Sequence, residues 1–222
     1  MSTADDDATS ISTSDVPATS GVRWKRFGGM LALTTIATGA LVTLTAQGVL
    51  AANFSISGMP FTVTSTHLHG VGFEQFATLD LLAPGSPNAG SEGEERVYIV
   101  SAIDSADLTS LCQSVDLGGM SLRITAGDAG SPVHGDSLVV DSDDIAGNAD
   151  FQNINVGQDA STFTKVKDRT NPSNGYIKGM PGVFGQQADV VDIYSLRQNN
   201  FATTAARFTL PHLHMSFTSG GC

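Results

Sequence analysis

The segment ERVYIVSA, Glu95–Ala102, concentrates β-branched and aromatic residues in a short run, which is typical of a buried or half-buried strand. Other short runs of alternating or β-branched residues follow along the chain, each bounded by Gly, Ser, Asn, Asp or Pro. They are Phe61–Ser65, Met120–Thr125, Leu138–Asp141, Asp150–Val156 and Ala206–Phe217. Helical spacing is confined to Ser105–Val115 and Ala188–Gln198, which we interpret as one or two helical turns, the first being equally compatible with an extended segment. The sequence therefore predicts a mostly β fold.

A short pattern, Ala-Asp-apolar-x-x-apolar, recurs in Ala106–Leu111, Ala149–Ile154 and Ala188–Ile193. Its copies start 43 and 39 residues apart, a spacing that suits a strand-turn-strand unit used several times, although β-rich segments also share such patterns by chance. We therefore expect one domain built from a long curved antiparallel sheet, a sandwich or a short solenoid of strand repeats, preceded by an apolar leader helix.

The leader is the longest uncharged stretch of the chain. No charged side chain occurs among the 26 residues between Phe27 and Phe54, and three basic residues precede them within Arg23–Arg26. A basic flank followed by an apolar run is the pattern of an export segment. We interpret residues 23–52 as a signal peptide or an N-terminal membrane anchor, with small residues near Ala51 favouring cleavage.

The two flanks of the leader differ in character. Residues 1–22 are rich in Asp, Ser and Thr and are predicted to form a disordered acidic cytoplasmic tail. Residues 53–222 are predicted to form an exported β-rich domain, extracellular or at the cell surface. This domain carries 18 acidic and 8 basic residues, and such a surface repels nucleic acid. Nucleic acid is therefore excluded as a partner.

Both cysteines of the chain, Cys112 and Cys222, lie in the part predicted to be exported, where disulfides persist. Two cysteines allow a single intramolecular pairing, which would tie the last residue to the middle of the domain. A free terminal thiol that links to another chain is the alternative.

A long connection, Lys165–Gly185, is rich in Gly, Pro and Asn, and Ala83–Glu94 is a second connection. Half of the basic residues of the acidic domain lie in the first: Lys165, Lys167, Arg169 and Lys178. We interpret this basic loop as solvated, with contact to anionic lipid headgroups or wall polymer as the alternative.

Several unusual strings occur in a fixed order along the chain. They are AQGVLAA at 46–52, Phe54–Gly58, Thr109–Val115, Asn153–Ser161 and Phe184–Asp189. Together they resemble an uncharacterised family of exported actinobacterial proteins whose members are often labelled cholesterol esterase. The resemblance covers residues 23–222 and implies an exported envelope protein of a Gram-positive organism. It carries no catalytic residues across.

An esterase of the serine type requires a nucleophile on a tight turn and a His base, and the sequence offers little that fits. The nucleophile-elbow pattern G-x-S-x-G is absent from the sequence. Gly135–Leu138 spells GDSL, the tetrapeptide of another lipase class, but it follows a turn-like stretch, and no Asp lies three residues before any His. We therefore interpret Ser137 as the polar residue that opens a strand, with catalysis as the alternative.

Two His-Leu-His triplets contain four of the five histidines. On a strand, the period of two places both imidazoles of a triplet on one face. If the first and last strands pair, His67, His69, His212 and His214 would converge on a site suited to Zn or Cu. Half-buried strand positions are the alternative that we favour, and we expect no cofactor. Asp141, Asp143 and Asp144 are likewise interpreted as a solvated turn rather than a calcium site.

We expect a non-catalytic envelope protein that binds a lipid or other apolar ligand at the outer membrane face. One apolar face of the sheet would shelter that ligand. Its predicted residues are Phe61, Val63, Phe73, Phe151, Phe163, Phe208, Leu213 and Phe217. A structural, self-assembling surface protein and a secreted lipid-ester hydrolase are the alternatives.

Overall fold

Long antiparallel strands make up most of the chain that the structure describes. The computed structural model describes residues 58–81 and 95–222, which belong to one compact unit, Gly48–Cys222. The predicted cytoplasmic tail (1–22), the leader (23–52) and the connection Ala83–Glu94 lie outside the described residues. Within the described ranges, no helix is long and apolar enough to cross a membrane.

Across residues 58–81 and 95–222, nine strands form one large antiparallel sheet, which confirms the mostly β prediction. They are β1 (Phe61–Leu81), β2 (Glu95–Thr109), β3 (Leu111–Asp116), β4 (Ser121–Ala126), β5 (Val133–Gln152), β6 (Asn155–Asp159), β7 (Phe184–Thr204), β8 (Arg207–Thr209) and β9 (His214–Thr218). Two short 3₁₀ turns, Ala160–Thr162 and Pro172–Asn174, lie between β6 and β7. Ser105–Val115 takes the extended alternative and lies in β2 and β3, whereas the helical interpretation of Ala188–Gln198 was wrong, since this segment lies in β7.

The four long strands close into a ring. Strand β1 pairs with both β2 and β7, and β5 also pairs with both β2 and β7. Strands β3, β4 and β9 continue the sheet outward from the first residues of β1. The ring strands are predominantly apolar on one face because that face is turned towards the space that they enclose.

Residues with positive φ let the long strands bend around this space. Gly72 (φ 69°), Ser110 (φ 55°), Ser137 (φ 47°) and Ser195 (φ 53°) lie within or directly between strands. A left-handed residue interrupts the alternation of a strand, and it shifts the inward-facing set of side chains by one position. At Gly72 the requirement is also spatial, since a Cβ there would lie 2.7 Å from the carbonyl oxygen of Lys165.

Two of these positive-φ residues, Ser110 and Ser195, explain why buried apolar side chains recur three residues apart in strands. Leu108 and Leu111 are both buried in the main core although they are three residues apart, because Ser110 lies between them. Ile193 and Leu196 flank Ser195 in the same way. An apolar spacing of three is therefore produced here by a bent strand rather than by a helical turn.

The main core draws on all four ring strands, so it lies inside the ring. It includes Leu68 and Phe73 from β1, Ile103 from β2, Leu138 from β5 and Val191 from β7. A second core lies where the connection between β6 and β7 packs on the sheet. Its buried members are Phe76, Val100, Ala160 and Phe163.

The C-terminal residue is fixed to the middle of the chain. Cys112 and Cys222 form a disulfide, with Cα atoms 5.9 Å apart, so the pairing expected from the sequence is the one found. The backbone N–H of Cys222 also donates to the Ser114 hydroxyl at 2.9 Å. The last residues therefore pack against strand β3 on the face that carries Cys112 and Ser114.

Candidate functional site

A cavity of about 280 Å³ lies inside the ring of long strands. Its apolar walls come from β1, β2, β3, β5 and β7 together with Phe208 of β8. The apolar lining residues are Val63, Leu68, Phe73, Ile99, Ile103, Leu108, Leu111, Leu138, Val140, Ile145, Ala149, Phe151, Ile193 and Phe208. Walls of this composition are hydrated poorly and favour an apolar occupant.

The cavity reaches the protein surface along the second half of β5. Gly147 and Ala149 line it and are exposed, as are Thr203 and Phe208 near the end of β7 and in β8. The opposite walls, at Phe73 and Ile103, are buried. The site is thus a pocket with a mouth beside Ala149 rather than a sealed void.

Six uncharged polar side chains interrupt the apolar walls. They are Gln75, Ser101, Gln113, Gln198, Asn200 and Thr203. The Gln75 amide donates to the Ser101 hydroxyl at 2.9 Å and accepts from Gln186 at 2.6 Å, so this part of the wall is satisfied by the protein itself. No ionisable side chain is among the described residues that line the cavity.

Asn200 differs from that satisfied pair. Only 1% of the residue is exposed, and its Oδ1 atom has no hydrogen-bond partner in the described part of the protein. Asn200 stands between Phe61 of β1 and Ser142 of β5, opposite both in the strand register. A buried acceptor without a donor is costly unless something in the cavity supplies one.

The predicted apolar face is divided by the structure. Val63, Phe73, Phe151 and Phe208 line the cavity, whereas Phe61 packs at the margin of the main core and Phe163 belongs to the second core. Leu213 and Phe217 lie outside the cavity and are exposed. Their expected place in a shared pocket was wrong, because β3 and β4 separate β9 from the ring.

Phe217 is nevertheless connected to Phe61 by the sheet register. Phe61 lies opposite Val115, Val115 opposite Leu122, and Leu122 opposite Phe217. Directly opposed residues of antiparallel neighbours project from the same face of a sheet. An apolar row therefore runs across four strands from the core margin to the exposed edge strand β9.

A segment of the basic loop, Lys165–Arg169, crosses the outside of three ring strands. The backbone N–H of Lys165 and that of Val166 donate to Glu74 Oε1 on β1 at 2.5 and 3.0 Å. The Lys167 N–H donates to Asp104 Oδ1 on β2 at 3.1 Å. We call Lys165–Arg169 the crossing segment. Its backbone polar groups are satisfied by strand side chains.

The charges of this loop are partly neutralised. Arg169 Nη2 lies 2.7 Å from Asp104 Oδ2, and Lys165 pairs with Asp189 of β7. These two contacts join the loop to the strands and reduce the positive patch expected from the sequence. Contact of the remaining basic residues with anionic lipid or polymer stays a prediction.

Glu74 anchors the crossing segment from a fully buried position. Burial raises the pKa of its carboxyl to about 7, although hydrogen bonds from the Val166 and Lys165 backbone and the charge of Lys178 act in the opposite direction. Its second oxygen, Oε2, has no hydrogen-bond partner among the described residues. A carboxyl in this setting titrates close to neutral pH.

Ser137 serves the same crossing segment. It is buried, its hydroxyl donates to the Lys167 carbonyl, and the hydroxyl accepts from the Arg169 N–H at 3.2 Å. None of the hydrogen bonds found for this hydroxyl involves an imidazole. Ser137 is a positive-φ residue inside β5 rather than the first residue of a strand, which corrects the sequence interpretation.

The histidine triplets lie apart from each other. His67 Nε2 and His69 Nδ1 both lie within 2.9 Å of Asp192 Oδ1 on β7, and the hydrogen bond from His69 lowers the pKa of Asp192. His212 instead pairs with Asp128 at 3.0 Å. The pairing of first and last strands on which a four-imidazole site depended is absent, since β3 and β4 separate β9 from β1.

Metal ligation is not supported elsewhere in the described ranges either. No group of three or more His, Cys, Asp or Glu side chains within them is arranged to hold a metal ion. The acidic cluster Asp141–Asp144 lies within strand β5 and not in a turn, and Asp143 accepts from Asn199 at 2.7 Å. The solvated-turn interpretation was wrong, because β5 continues to pair with β7 through these residues, with shifts in the register.

Sequence reasoning missed the residues that organise this site. Asn200 follows Gln198 and Asn199, and Glu74 lies between Phe73 and Gln75, so nothing in the local pattern marks either polar residue as buried. Asp104 lies in a segment whose strand period is interrupted. Their roles depend on which strands meet, and that information is not contained in short sequence windows.

The fold and the site together define a β-sheet protein whose ring of long strands encloses an apolar, surface-connected cavity. The model of the Family of unknown function (DUF6230) matches residues 57–222, so the chain belongs to that family. This confirms the resemblance to an uncharacterised family noted in the sequence. No curated protein and no solved structure matches the chain.

Proposed function

We propose that this protein is a non-catalytic, exported cell-envelope protein that binds a lipid or other apolar ligand at the outer membrane face. The observation that carries the proposal is the cavity of about 280 Å³ inside the ring of strands. Burying a methylene group is worth about 0.8 kcal/mol, so an acyl-like chain in this space would gain several times that value.

Export is supported by two independent features. The Cys112–Cys222 disulfide is consistent with an oxidising compartment. The uncharged stretch 28–53 behind a basic cluster is the sequence pattern of an export segment. A protein on the outer side of the membrane encounters apolar molecules that dissolve poorly in water.

The mouth of the cavity offers a direct test. Ala149 lines the cavity and is exposed, so Ala149→Phe should narrow the mouth without disturbing the buried core. Ala146 is exposed on the same strand but does not line the cavity, which makes Ala146→Phe the matched control. Binding of an environment-sensitive apolar fluorophore is measured for the unchanged protein and for both variants.

We expect saturable fluorophore binding that weakens at least about tenfold in Ala149→Phe, a change of about 1.4 kcal/mol, and persists in Ala146→Phe. Equal binding by all three proteins would show that the fluorophore occupies some other surface. An unchanged protein that binds no fluorophore, and releases no lipid on solvent extraction, would refute the proposal.

Self-association is a second candidate, favoured by the edge strand β9. Met215 and Phe217 on this strand are both more than half exposed, and β9 ends the strand order of the sheet. Exposed apolar edge strands promote pairing between chains. Size-exclusion chromatography distinguishes the two candidates, because concentration-dependent polymers would support assembly whereas a discrete monomer with extractable lipid supports ligand binding.

A further inference from the structure

The polar groups of the cavity wall restrict the ligand to a narrower class than apolar molecules in general. Asn200 lines the cavity, and its Oδ1 atom is a buried acceptor that no described group satisfies. The amide of Gln75, in the same wall, is engaged by Ser101 and Gln186. Asn200 is therefore the point at which the protein leaves a hydrogen bond for an occupant to complete.

The position of Asn200 fits such a role. It lies two residues after Gln198 on β7, and both side chains line the cavity, as the strand period of two requires. The next residue back, Asn199, faces the other side and donates to Asp143 at 2.7 Å. Of these two adjacent residues, only Asn200 therefore lines the cavity.

Charge decides which polar head the cavity accepts. The described lining residues include no Lys, Arg or His that could pair with a carboxylate or a phosphate. Burying an anion in an uncharged wall is strongly unfavourable, and an acceptor oxygen such as Asn200 Oδ1 adds repulsion. A neutral head group that donates a hydrogen bond to Asn200 Oδ1 therefore fits this wall better than an anionic one.

We infer that the ligand is a neutral amphiphile, an apolar body with a free hydroxyl group, whose O–H donates to Asn200 Oδ1 inside the cavity. This inference rests on the proposed ligand-binding function and specifies its ligand class. A long-chain alcohol is the simplest member of that class. Fatty acids and phospholipid head groups fall outside it.

The experiment uses four probes of equal chain length: n-decane, 1-decanol, decyl methyl ether and decanoate. Each probe competes with the apolar fluorophore on the full chain at a slightly alkaline pH, where decanoate is ionised. The variants are Asn200→Leu and the matched control Asn199→Leu, since Leu has the same number and branching of side-chain heavy atoms as Asn but no hydrogen-bonding group.

In the unchanged protein, 1-decanol should bind at least about tenfold more tightly than its methyl ether or decanoate, because only the alcohol completes the hydrogen bond. Asn200→Leu should weaken 1-decanol binding by about tenfold and leave n-decane unchanged or tighter. Asn199→Leu should leave the order of the probes unaltered.

The outcomes distinguish failure of the proposed function from failure of this inference. Failure of every probe to compete in the unchanged protein would overturn the proposed function, and this inference with it. Competition by all four probes without preference would leave the proposed function standing and overturn the inference. An ether that binds as tightly as the alcohol, or more tightly, would also overturn the inference, because an ether has no O–H to donate. Because this comparison needs only the unchanged protein, it stays decisive if Asn200→Leu does not fold.

Discussion

Glu74 makes the stability of this protein depend on pH in an unusual direction. Burial raises the pKa of its carboxyl from 4.5 to about 7 in the folded protein. The folded state therefore holds this proton more tightly than the unfolded chain does. It follows that the Glu74 contribution to stability is fully present below the unfolded pKa and is lost as the pH rises through the folded value.

The size of the effect follows from the shift. One pKa unit corresponds to about 1.4 kcal/mol, so Glu74 alone should remove about 3 kcal/mol of folding free energy between about pH 5 and about pH 8. His134 adds a change of the same sign at the upper end, because its hydrogen bond to Asp107 raises the pKa of the imidazole. The carboxylates with lowered pKa, such as Asp192, act only at lower pH.

The variant Glu74→Gln isolates this contribution. Its amide oxygen can still accept from the Lys165 and Val166 N–H groups, but the side chain no longer titrates. Urea unfolding followed by circular dichroism across that pH range should show a much flatter stability profile for Glu74→Gln. The control Asp143→Asn, which changes an exposed carboxylate, should keep the original slope. An unaltered slope in Glu74→Gln would refute the reasoning.

Two further predictions concern stability. Replacing Cys222 by Ser opens a disulfide that spans 110 residues, and we expect a loss of about 4 to 5 kcal/mol, measured as a lower urea midpoint; an unchanged midpoint would show that the bond adds nothing. Ser137→Ala should cost about 1 to 3 kcal/mol, because the Lys167 carbonyl and the Arg169 N–H lose their partner, and should leave any ester hydrolysis by the preparation unchanged. Turnover that disappears with the Ser137 hydroxyl would instead support the hydrolase alternative.

The fold class was predictable because the composition of a short strand segment already indicates that the segment is a buried strand. Glu95–Ala102 and Phe61–Ser65 are both strand segments, and each was recognised from its composition alone. The lengths of the strands were not predictable. Phe61 begins a strand of 21 residues, but the positive φ of Gly72 shifts the inward-facing side chains, so no constant period of two extends along it.

The candidate site was predictable only in outline. Phe73 and Phe151 were expected on a shared apolar face, and their rings do meet, with centroids 5.4 Å apart beside the cavity. Phe217 was expected there as well, but its strand pairs with β4 at the edge of the sheet. Strand pairing over long sequence separations decides such cases, and the period of a single strand carries no information about its partner.

Native mass spectrometry of the protein purified from its own host tests the central claim most directly. The account predicts a chain that carries one neutral lipid-sized adduct, which is released on activation and is absent from Ala149→Phe. A protein whose mass equals that of the disulfide-bonded polypeptide alone, with the unchanged and variant proteins indistinguishable, would contradict it.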